Sequence, residues 1–416
     1  MREMKDSGVE WIGEIPATWQ LYKMKYLGKY INGFPFKPDD WGDTGKPIIR
    51  IQDLTGTNKE PNYYRGELDS KYLVTNGDIL VSWAATLDAF EWEKGEGWLN
   101  QHIFKAIPNT DIVEKSFFIW LLKTAMKYMN DDNKHGIVMQ HVTLPVFNNF
   151  TVVLPSHVEQ EKLSVTLCRS VNMVASLISN QKTQIEKLRA YKQSLIAEVI
   201  TKGLDSAVPM KDSGVEWIGE IPAHWEVNRG KELFAEVDAR SVDGSEELLT
   251  VSQYTGITPR SQKNVNMFES LTLEGYKICE KGDIAANTMW LWAGAIGVSE
   301  YRGVISPSYN VYRQKAGNYL PSYLDSLLRA PMLVQEYASR STGIRASRLR
   351  LYPKDFMNIL FPVPPIEEQE AIVGGLQKKF SVVDKLIAIK QAKIEKLEQY
   401  KKSLIYEYVT GKKEAM

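Results

Sequence analysis

Met4-Lys-Asp-Ser-Gly-Val-Glu-Trp-Ile-Gly-Glu-Ile-Pro-Ala-Thr-Trp19 is written a second time, as Met210-Lys-Asp-Ser-Gly-Val-Glu-Trp-Ile-Gly-Glu-Ile-Pro-Ala-His-Trp225. Only Thr18 and His224 differ, and the shift is 206 residues in a chain of 416. A second block closes each half. Ile185-Glu-Lys-Leu188 returns as Ile394-Glu-Lys-Leu397, and Ser194-Leu-Ile196 as Ser403-Leu-Ile405, at a shift of 209. Between these ends the halves do not repeat visibly. Constant frames around two variable inserts predict one scaffold that presents two different recognition surfaces.

Each half therefore divides into a Trp-rich opener, a mixed segment of about 135 residues and a long helix. No proline interrupts the chain between Pro155 and Pro209, and none follows Pro365. Glu159 and Glu161 in one half, and Glu368 and Glu370 in the other, place acids in the first turns, where the helix dipole favours them. Apolar residues match across the shift: Leu163/Ile372, Leu167/Leu376, Val171/Phe380, Val174/Val383 and Ile178/Ile387, then Ile185/Ile394, Leu188/Leu397, Leu195/Leu404 and Val199/Tyr408. Their spacings of three and four make a narrow coiled-coil seam, and a seam matched in both copies predicts an intramolecular pair rather than a solvated single helix. About 45 helical residues span roughly 68 Å, near 20 base pairs of duplex.

The inserts carry strand and turn signals. Pro47-Ile-Ile-Arg-Ile51, Asp78-Ile-Leu-Val-Ser82 and Gly303-Val-Ile-Ser306 are short β-type runs, and Asn76-Gly-Asp78 and Lys281-Gly-Asp283 are turns at comparable places. Short helices are predicted from Lys115 to Met129 and from Tyr319 to Leu328. The expected fold class is α+β: two globular domains with curved β-sheets, two long helices and a pseudo-twofold internal repeat. The domain boundaries fall at 1–154, 155–205, 206–363 and 364–416.

Composition narrows the function. Hydrophobic residues at 44% and charged residues at 25% are ordinary for a globular protein. No apolar run approaches the roughly 18 residues of a membrane span. The first residues are charged and lack a signal peptide's apolar stretch, and Cys168 and Cys279, one in each half, form neither a disulfide framework nor a metal cluster. A reducing cytoplasm is expected. Net charge is zero, from 51 basic and 51 acidic residues, which by itself speaks against a nucleic-acid binder. Distribution answers this in part: Arg340, Arg345, Arg348 and Arg350 crowd into one short stretch, so a basic patch can sit on a neutral chain.

Catalytic patterns fail when tested. Gly42-Asp-Thr-Gly-Lys46 has the wrong spacing for a phosphate-binding loop, and no Gly-rich dinucleotide fingerprint follows a strand. The Pro364-Pro365 pair is flanked by Val363 and Ile366, where an amino-methyltransferase needs Asn or Asp before and an aromatic after. The five histidines show no metal-ligand spacing. Pro38-Asp39 with Asp69-Ser-Lys71 loosely matches a metal-dependent nuclease pattern, but the other half has no equivalent.

Recognition chemistry fares better. Shortly before each long helix lies a Gly-containing polar stretch: Asn133-Lys-His-Gly-Ile-Val-Met-Gln-His141, with Lys134, Gln140 and His141, and Arg340-Ser-Thr-Gly-Ile-Arg-Ala-Ser-Arg-Leu-Arg350. Arg and Lys grip guanine or phosphate, and Gln pairs with adenine. One such stretch is as well explained as a solvated loop. Two in the same relative place, chemically different, point to two different sequences being read. Arg50, Gln52, Gln253, Arg260, Lys263 and Asn287 are further candidates, although a structural role is the stronger reading of each taken singly. Trp11, Trp19, Trp217 and Trp225 repeat unchanged, so they are expected to pack each opener against the long helices rather than to stack on bases.

Together the openers Trp11-Ile-Gly-Glu-Ile-Pro16 and Trp217-Ile-Gly-Glu-Ile-Pro222 and the helix entries Leu154-Pro-Ser-His-Val-Glu-Gln160 and Val363-Pro-Pro-Ile-Glu-Glu-Gln369 resemble the specificity subunit of type I restriction–modification enzymes. So do Gly77-Asp-Ile-Leu80, Leu99-Asn-Gln-His-Ile-Phe104 and Ser306-Pro-Ser-Tyr309. The resemblance covers the whole chain and departs from the usual Pro-Pro pair only at Pro155-Ser156. It implies two target recognition domains, each reading half of a bipartite site in double-stranded DNA, and two antiparallel helices that set the unread spacer. It implies a non-catalytic chain without its own cofactor. The partners implied are two DNA methyltransferase (modification) subunits, which use S-adenosylmethionine, and restriction subunits, which use ATP and magnesium. Two alternatives stay open: a related system whose partner fuses nuclease and methyltransferase, and a coiled-coil scaffold that binds only protein.

Overall fold

The computed structural model describes residues 2–58, 60–132, 142–263, 272–343 and 349–415. The chain forms two compact units, residues 1–181 with 392–416, and residues 182–391. The division falls inside two long helices, His157–Lys202 of 46 residues and Ile366–Val409 of 44. Every apolar position matched across the sequence repeat is buried or half-buried along both. In the first unit Leu163, Leu167 and Val171 share a core with Leu404, Tyr408 and Val409, so the start of one helix packs on the end of the other. In the second unit Leu195, Val199 and Ile200 meet Ile372 and Leu376 in the same antiparallel sense. No helix among the described residues is long and apolar enough to cross a membrane.

The repeated opener folds by repeated turn chemistry. Met4–Asp6 pairs antiparallel with Glu14–Pro16, and Met210–Asp212 with Glu220–Pro222. Asp6 Oδ1 accepts from Gly8 N–H at 3.0 Å, and Asp212 Oδ1 from Gly214 N–H at 2.9 Å. Gly8 and Gly214 take φ of +66° and +68°, a region where a Cβ is strained.

Each opener ends on a fully buried tryptophan tied to a helix entry. Trp19 Nε1 donates to Glu159 Oε2 at 3.1 Å, and Trp225 Nε1 to Glu368 Oε2 at 2.9 Å. Trp11 behaves differently from expectation. Its indole N–H bonds to Thr151 O at 3.1 Å and its ring stacks on Phe150, so the aromatic part faces the insert.

The one difference between the openers has a local explanation. In the first unit the second oxygen of Glu159 accepts from Arg2 Nη1 at 2.7 Å. Arg2 corresponds to Val208 across the repeat, which cannot donate. There the ring of His224, in the place of Thr18, reaches Glu368 Oε1 instead. Two substitutions thus exchange one donor for another. Replacing His224 with Thr costs below about 1 kcal/mol at this exposed pair, and adding Val208→Arg restores it. A urea double-mutant cycle reads the coupling, and strictly additive effects refute the exchange.

Inside the inserts lies a repeat that the residues conceal. The first unit carries an antiparallel sheet in the order Gly28–Asn32, Ile103–Pro108, Ile79–Ser82, Asp88–Glu91. The second carries Phe234–Val237, Asn310–Gln314, Ile284–Ala286, Ile296–Val298, in the same order. Asp78 and Asp283 close matching Gly turns by accepting from Thr75 N–H at 2.7 Å and Glu280 N–H at 2.9 Å. Helices Lys115–Asp132 in one unit and Pro321–Leu328 in the other stand where the sequence predicts them. Beyond the shared sheet the inserts diverge. The first adds a second four-stranded sheet, Tyr63–Tyr64, Lys46–Ile49, Gly97–Leu99, Leu73–Val74, with one parallel pair. The second adds the hairpin Leu249–Ser252 with Gly256–Pro259 and a separate antiparallel pair, Lys277–Cys279 with Gly303–Ile305.

Candidate nucleic-acid interface

Two buried glutamines fix how each insert sits on its frame. Gln160 Oε1 accepts from Glu114 N–H at 2.7 Å, while its Nε2 donates to Ile112 O at 3.0 Å and Pro155 O at 3.1 Å. Gln369 repeats the set with Leu320 N–H at 2.8 Å and with Asn318 O and Pro364 O at 2.9 Å. Each amide is therefore filled by backbone, whatever side chains the insert carries. Nearby, burial pushes the Glu114 carboxyl up, but hydrogen bonds from Ser116 N–H, Phe117 N–H and the Ser164 hydroxyl outweigh it and hold the group below its ordinary value. The insert ends are also joined to each other: Gln20–Lys23 pairs with Thr151–Leu154, and Glu226–Arg229 with Leu360–Val363.

In the first unit the strand register sends several loops out at one end of the central sheet. Asn32 pairs with Phe104, and Ser82 with both Ile103 and Asp88, so the segments after Asn32, before Ile103 and between Ser82 and Asp88 emerge together. Arg50 joins them, because Ile49 pairs in parallel with Leu99 and Asn100 N–H donates to Ile49 O at 3.3 Å. The Arg50 guanidinium lies 5.0 Å from the Trp41 ring and reaches Asn62 Oδ1 at 3.2 Å. Exposed Gln52 follows on helix Ile51–Thr55. Trp83 packs 5.4 Å from exposed His102, beside Gln101. In the same hairpin loop Ala85 holds a left-handed φ of +59°, costing about 1 kcal/mol. Val142 N–H donates to Trp83 O at 3.0 Å, which anchors the chain just after Lys134, Gln140 and His141. Those three candidates lie outside the described residues.

The second unit gathers the corresponding loops. Val237 pairs with Val311, and Ala286 with Asn310 and Ile296, so the loops after Val237, before Asn310 and between Ala286 and Ile296 share one end. Asn287 lies there, but 5% exposed, with Nδ2 donating to Tyr309 OH at 2.8 Å and Oδ1 accepting from Met289 N–H at 3.2 Å. Its place as a base reader is thus corrected: buried, with each end of its amide bonded internally, it ties two loops together. Trp290, 49% exposed, stacks on Trp292 at 5.7 Å. Helix Pro331–Arg340 packs on this turn, and a Cβ at Gly294 would meet Val334 Cγ2 at 3.1 Å. Arg340 ends that helix, exposed and paired with Glu336. Beyond it Thr342 and Arg350 exchange backbone hydrogen bonds of 3.0 and 2.9 Å, bringing Arg350 back beside the helix end. Arg345 and Arg348 lie outside the described residues.

The remaining candidates stand apart. Gln253 sits in the turn before Gly256, and that turn opens with Lys281 and Gly282 onto a groove at the sheet end opposite the Asn287 loop, so it does not join the other candidates. Its carbonyl accepts from Arg329 Nη2 at 3.4 Å. Arg260 lies at the far end of the hairpin, its N–H bonded to Leu248 O at 2.8 Å. Lys263 is half-buried, and desolvation holds its ammonium below the ordinary lysine value. Reading the residues singly overlooked Trp83, Gln101, His102, Trp290 and Trp292. A signal existed for the last two, since a pair of close tryptophans without a counterpart in the other half is an unrepeated aromatic feature.

This end offers guanidinium, amide and imidazole groups at Arg50, Gln52, Gln101 and His102 in the first unit, and guanidinium groups at Arg340 and Arg350 beside the exposed Trp290 in the second. Such donors and acceptors match base edges and phosphates. Among the described residues no three His, Cys, Asp or Glu side chains gather to hold a metal ion.

Comparison with known proteins agrees with this geometry. Residues 16–187 match the family described as the type I restriction modification DNA specificity domain. The chain is 24% identical to the MjaVIII type I specificity subunit of Methanocaldococcus jannaschii, over 96% of this chain and 93% of that one. It is 22% identical to the EcoBI specificity subunit of Escherichia coli, over 92% and 84% respectively. In structure it resembles a chain described in work on complex assembly and conformational transition of the type I R-M system, with TM-score 0.64, 13% identity and coverage of 95% and 98%. The HsdS subunit from Thermoanaerobacter tengcongensis follows at TM-score 0.50, 15% identity and the same coverage. By the domain matched over residues 16–187 and the near full-length likeness to these subunits, the chain is similar to the specificity subunits of type I restriction–modification enzymes.

Proposed function

We propose that this chain is the non-catalytic DNA-reading subunit of a type I restriction–modification complex, with each unit reading one half of a bipartite site. The first unit reads through the loops around Arg50, Gln52, Trp83, Gln101 and His102, with the stretch holding Lys134, Gln140 and His141. The second reads through the Trp290 turn and the Arg340–Arg350 stretch, with Arg345 and Arg348. One observation carries this reading: in both units a set of unrepeated loops leaves the corresponding end of an equivalent sheet. The repeated parts are the frame, and the two helices form an antiparallel coiled coil whose length sets the unread spacer. Two methylating subunits dock on this frame. S-adenosylmethionine, ATP and magnesium act in the partners.

Mapping methylated adenines in the host genome gives the two half-sites and the spacer in one experiment. A second experiment tests the ruler. Inserting four residues after Gln181 and four after Gln391 adds about 6 Å of helix, close to two base pairs of rise. Spacer length grows by about two pairs while both half-sites stay as they were. A changed half-site, or an unchanged spacer in an active complex, contradicts the assignment.

A further inference from the structure

A groove in the first unit is lined by Lys123, Lys127, Lys401 and Lys402, with Trp120 and Tyr406 among its walls and Asp88 as its one carboxylate. Asp88 is already engaged, lying 3.4 Å from Lys123 Nζ. Lys127, Lys401 and Lys402 have no ion pair among the described residues, so three ammonium groups face one channel without neutralisation. The groove starts at Leu87 and Asp88, where the Trp83 hairpin loop rejoins the sheet, and so continues from the reading end.

The repeat sharpens the point. Lys401 corresponds to Lys192 in the second unit, where Asp384 binds the ammonium at 2.8 and 2.9 Å. Asp384 in turn corresponds to Ala175, so the first unit has no acid at that place. Lys402 corresponds to Gln193. The frame, otherwise shared, is thus charged in one unit and neutralised in the other. Unpaired surface charge of one sign concentrates counter-ions, and a line of it recruits a polyanion. Lys123 and Lys127, four residues apart on one helix, are stepped by about 6 Å, near two phosphate rises of about 3.4 Å each along one DNA strand.

We propose that this lysine groove grips the DNA phosphate backbone beside the first half-site, without reading bases. The inference rests on the DNA-reading assignment above and adds a second, sequence-independent contact made partly by the long helix itself. An acidic protein segment is the competing occupant, and aromatic walls do not decide between them. A groove that opens from the loops assigned to DNA favours the duplex.

The test uses the full chain and a 30-base-pair duplex of random sequence, with affinity measured across a range of KCl concentrations. Each lost phosphate contact lowers the slope of log affinity against log salt by about 0.9. The triple variant Lys127→Ala, Lys401→Ala, Lys402→Ala therefore loses about 2 to 3 from the slope, while the Lys→Arg triple variant keeps it. Should the alanine triple fail to fold, Lys402→Ala alone, at an exposed position, lowers the slope by about one. An unaltered slope in the folded alanine variant overturns the groove assignment, as does displacement of the duplex by polyglutamate at equal charge. A wild-type chain that binds no duplex at any salt removes the DNA-reading assignment itself.

Discussion

Exchanging residues 20–154 for the matching segment of another specificity subunit replaces one half of the recognised site and leaves the other half intact. The structure explains why the segment travels as a unit. Its ends, Gln20–Lys23 and Thr151–Leu154, are paired with each other, so excision does not tear a sheet shared with the frame. Beside the apolar core it shares with the frame, the polar bonds from Trp11 and Gln160 go to its backbone: Trp11 to Thr151 O, and Gln160 to Ile112 O and Glu114 N–H. A donor segment with different side chains still offers those groups. Each mismatched base pair costs about 1–3 kcal/mol, so three replaced pairs weaken binding to the original site by more than a hundredfold. Methylation mapping of the hybrid complex reads the outcome. Alteration of both half-sites would show that the units do not read independently.

Gln369→Leu is expected to be the most damaging single change in the second unit, and Gln160→Leu in the first. Gln369 is 0% exposed and Gln160 1% exposed, and each serves three backbone groups. Leucine fills the volume but leaves a buried N–H and two buried carbonyls without partners. At about 1–3 kcal/mol for each unsatisfied group, the loss is roughly 3–6 kcal/mol after local adjustment. That lowers the melting temperature of the affected unit by roughly 10–20 °C. Calorimetry distinguishes the two variants, since each shifts a different transition. The Gln→Glu variants are destabilised as well, because the buried carboxyl either carries an unpaired charge against two carbonyl oxygens or takes up a proton and donates to only one of them. A Leu variant that melts like the parent would remove the clamp from the account.

Sequence carried the frame almost completely, for a physical reason. Helices 46 and 44 residues long declare themselves through spacing alone, and the openers are written twice. The inserts were harder. Ile79–Ser82 and Ile284–Ala286 occupy the same place in equivalent sheets, yet the residues share little beyond the preceding Gly-Asp turn. A strand buried on both faces needs only apolar side chains, so its identity drifts freely. Asn287 shows the limit of residue chemistry. As a letter it suits an adenine edge; in place, its amide is spent on Tyr309 and Met289. Trp83 and His102 show the converse, because parallel pairing of Ile49 with Leu99 brings Arg50, from far along the chain, to the same end of the first unit's sheets. No spacing rule anticipates that placement.

The glutamine clamps also bear on how such a protein changes over generations. Bonds made to main-chain atoms place no demand on the side chains of the residues they hold, so mutations within an insert that keep its apolar contact with the frame accumulate without breaking the clamps. Nearly identical openers in both halves supply matched junctions on either side of the variable segments. Recombination between related genes at those junctions delivers an intact reader in a single event. A host lineage can thus acquire a new target by exchange, faster than by stepwise substitution, while the repeated frame is inherited unchanged.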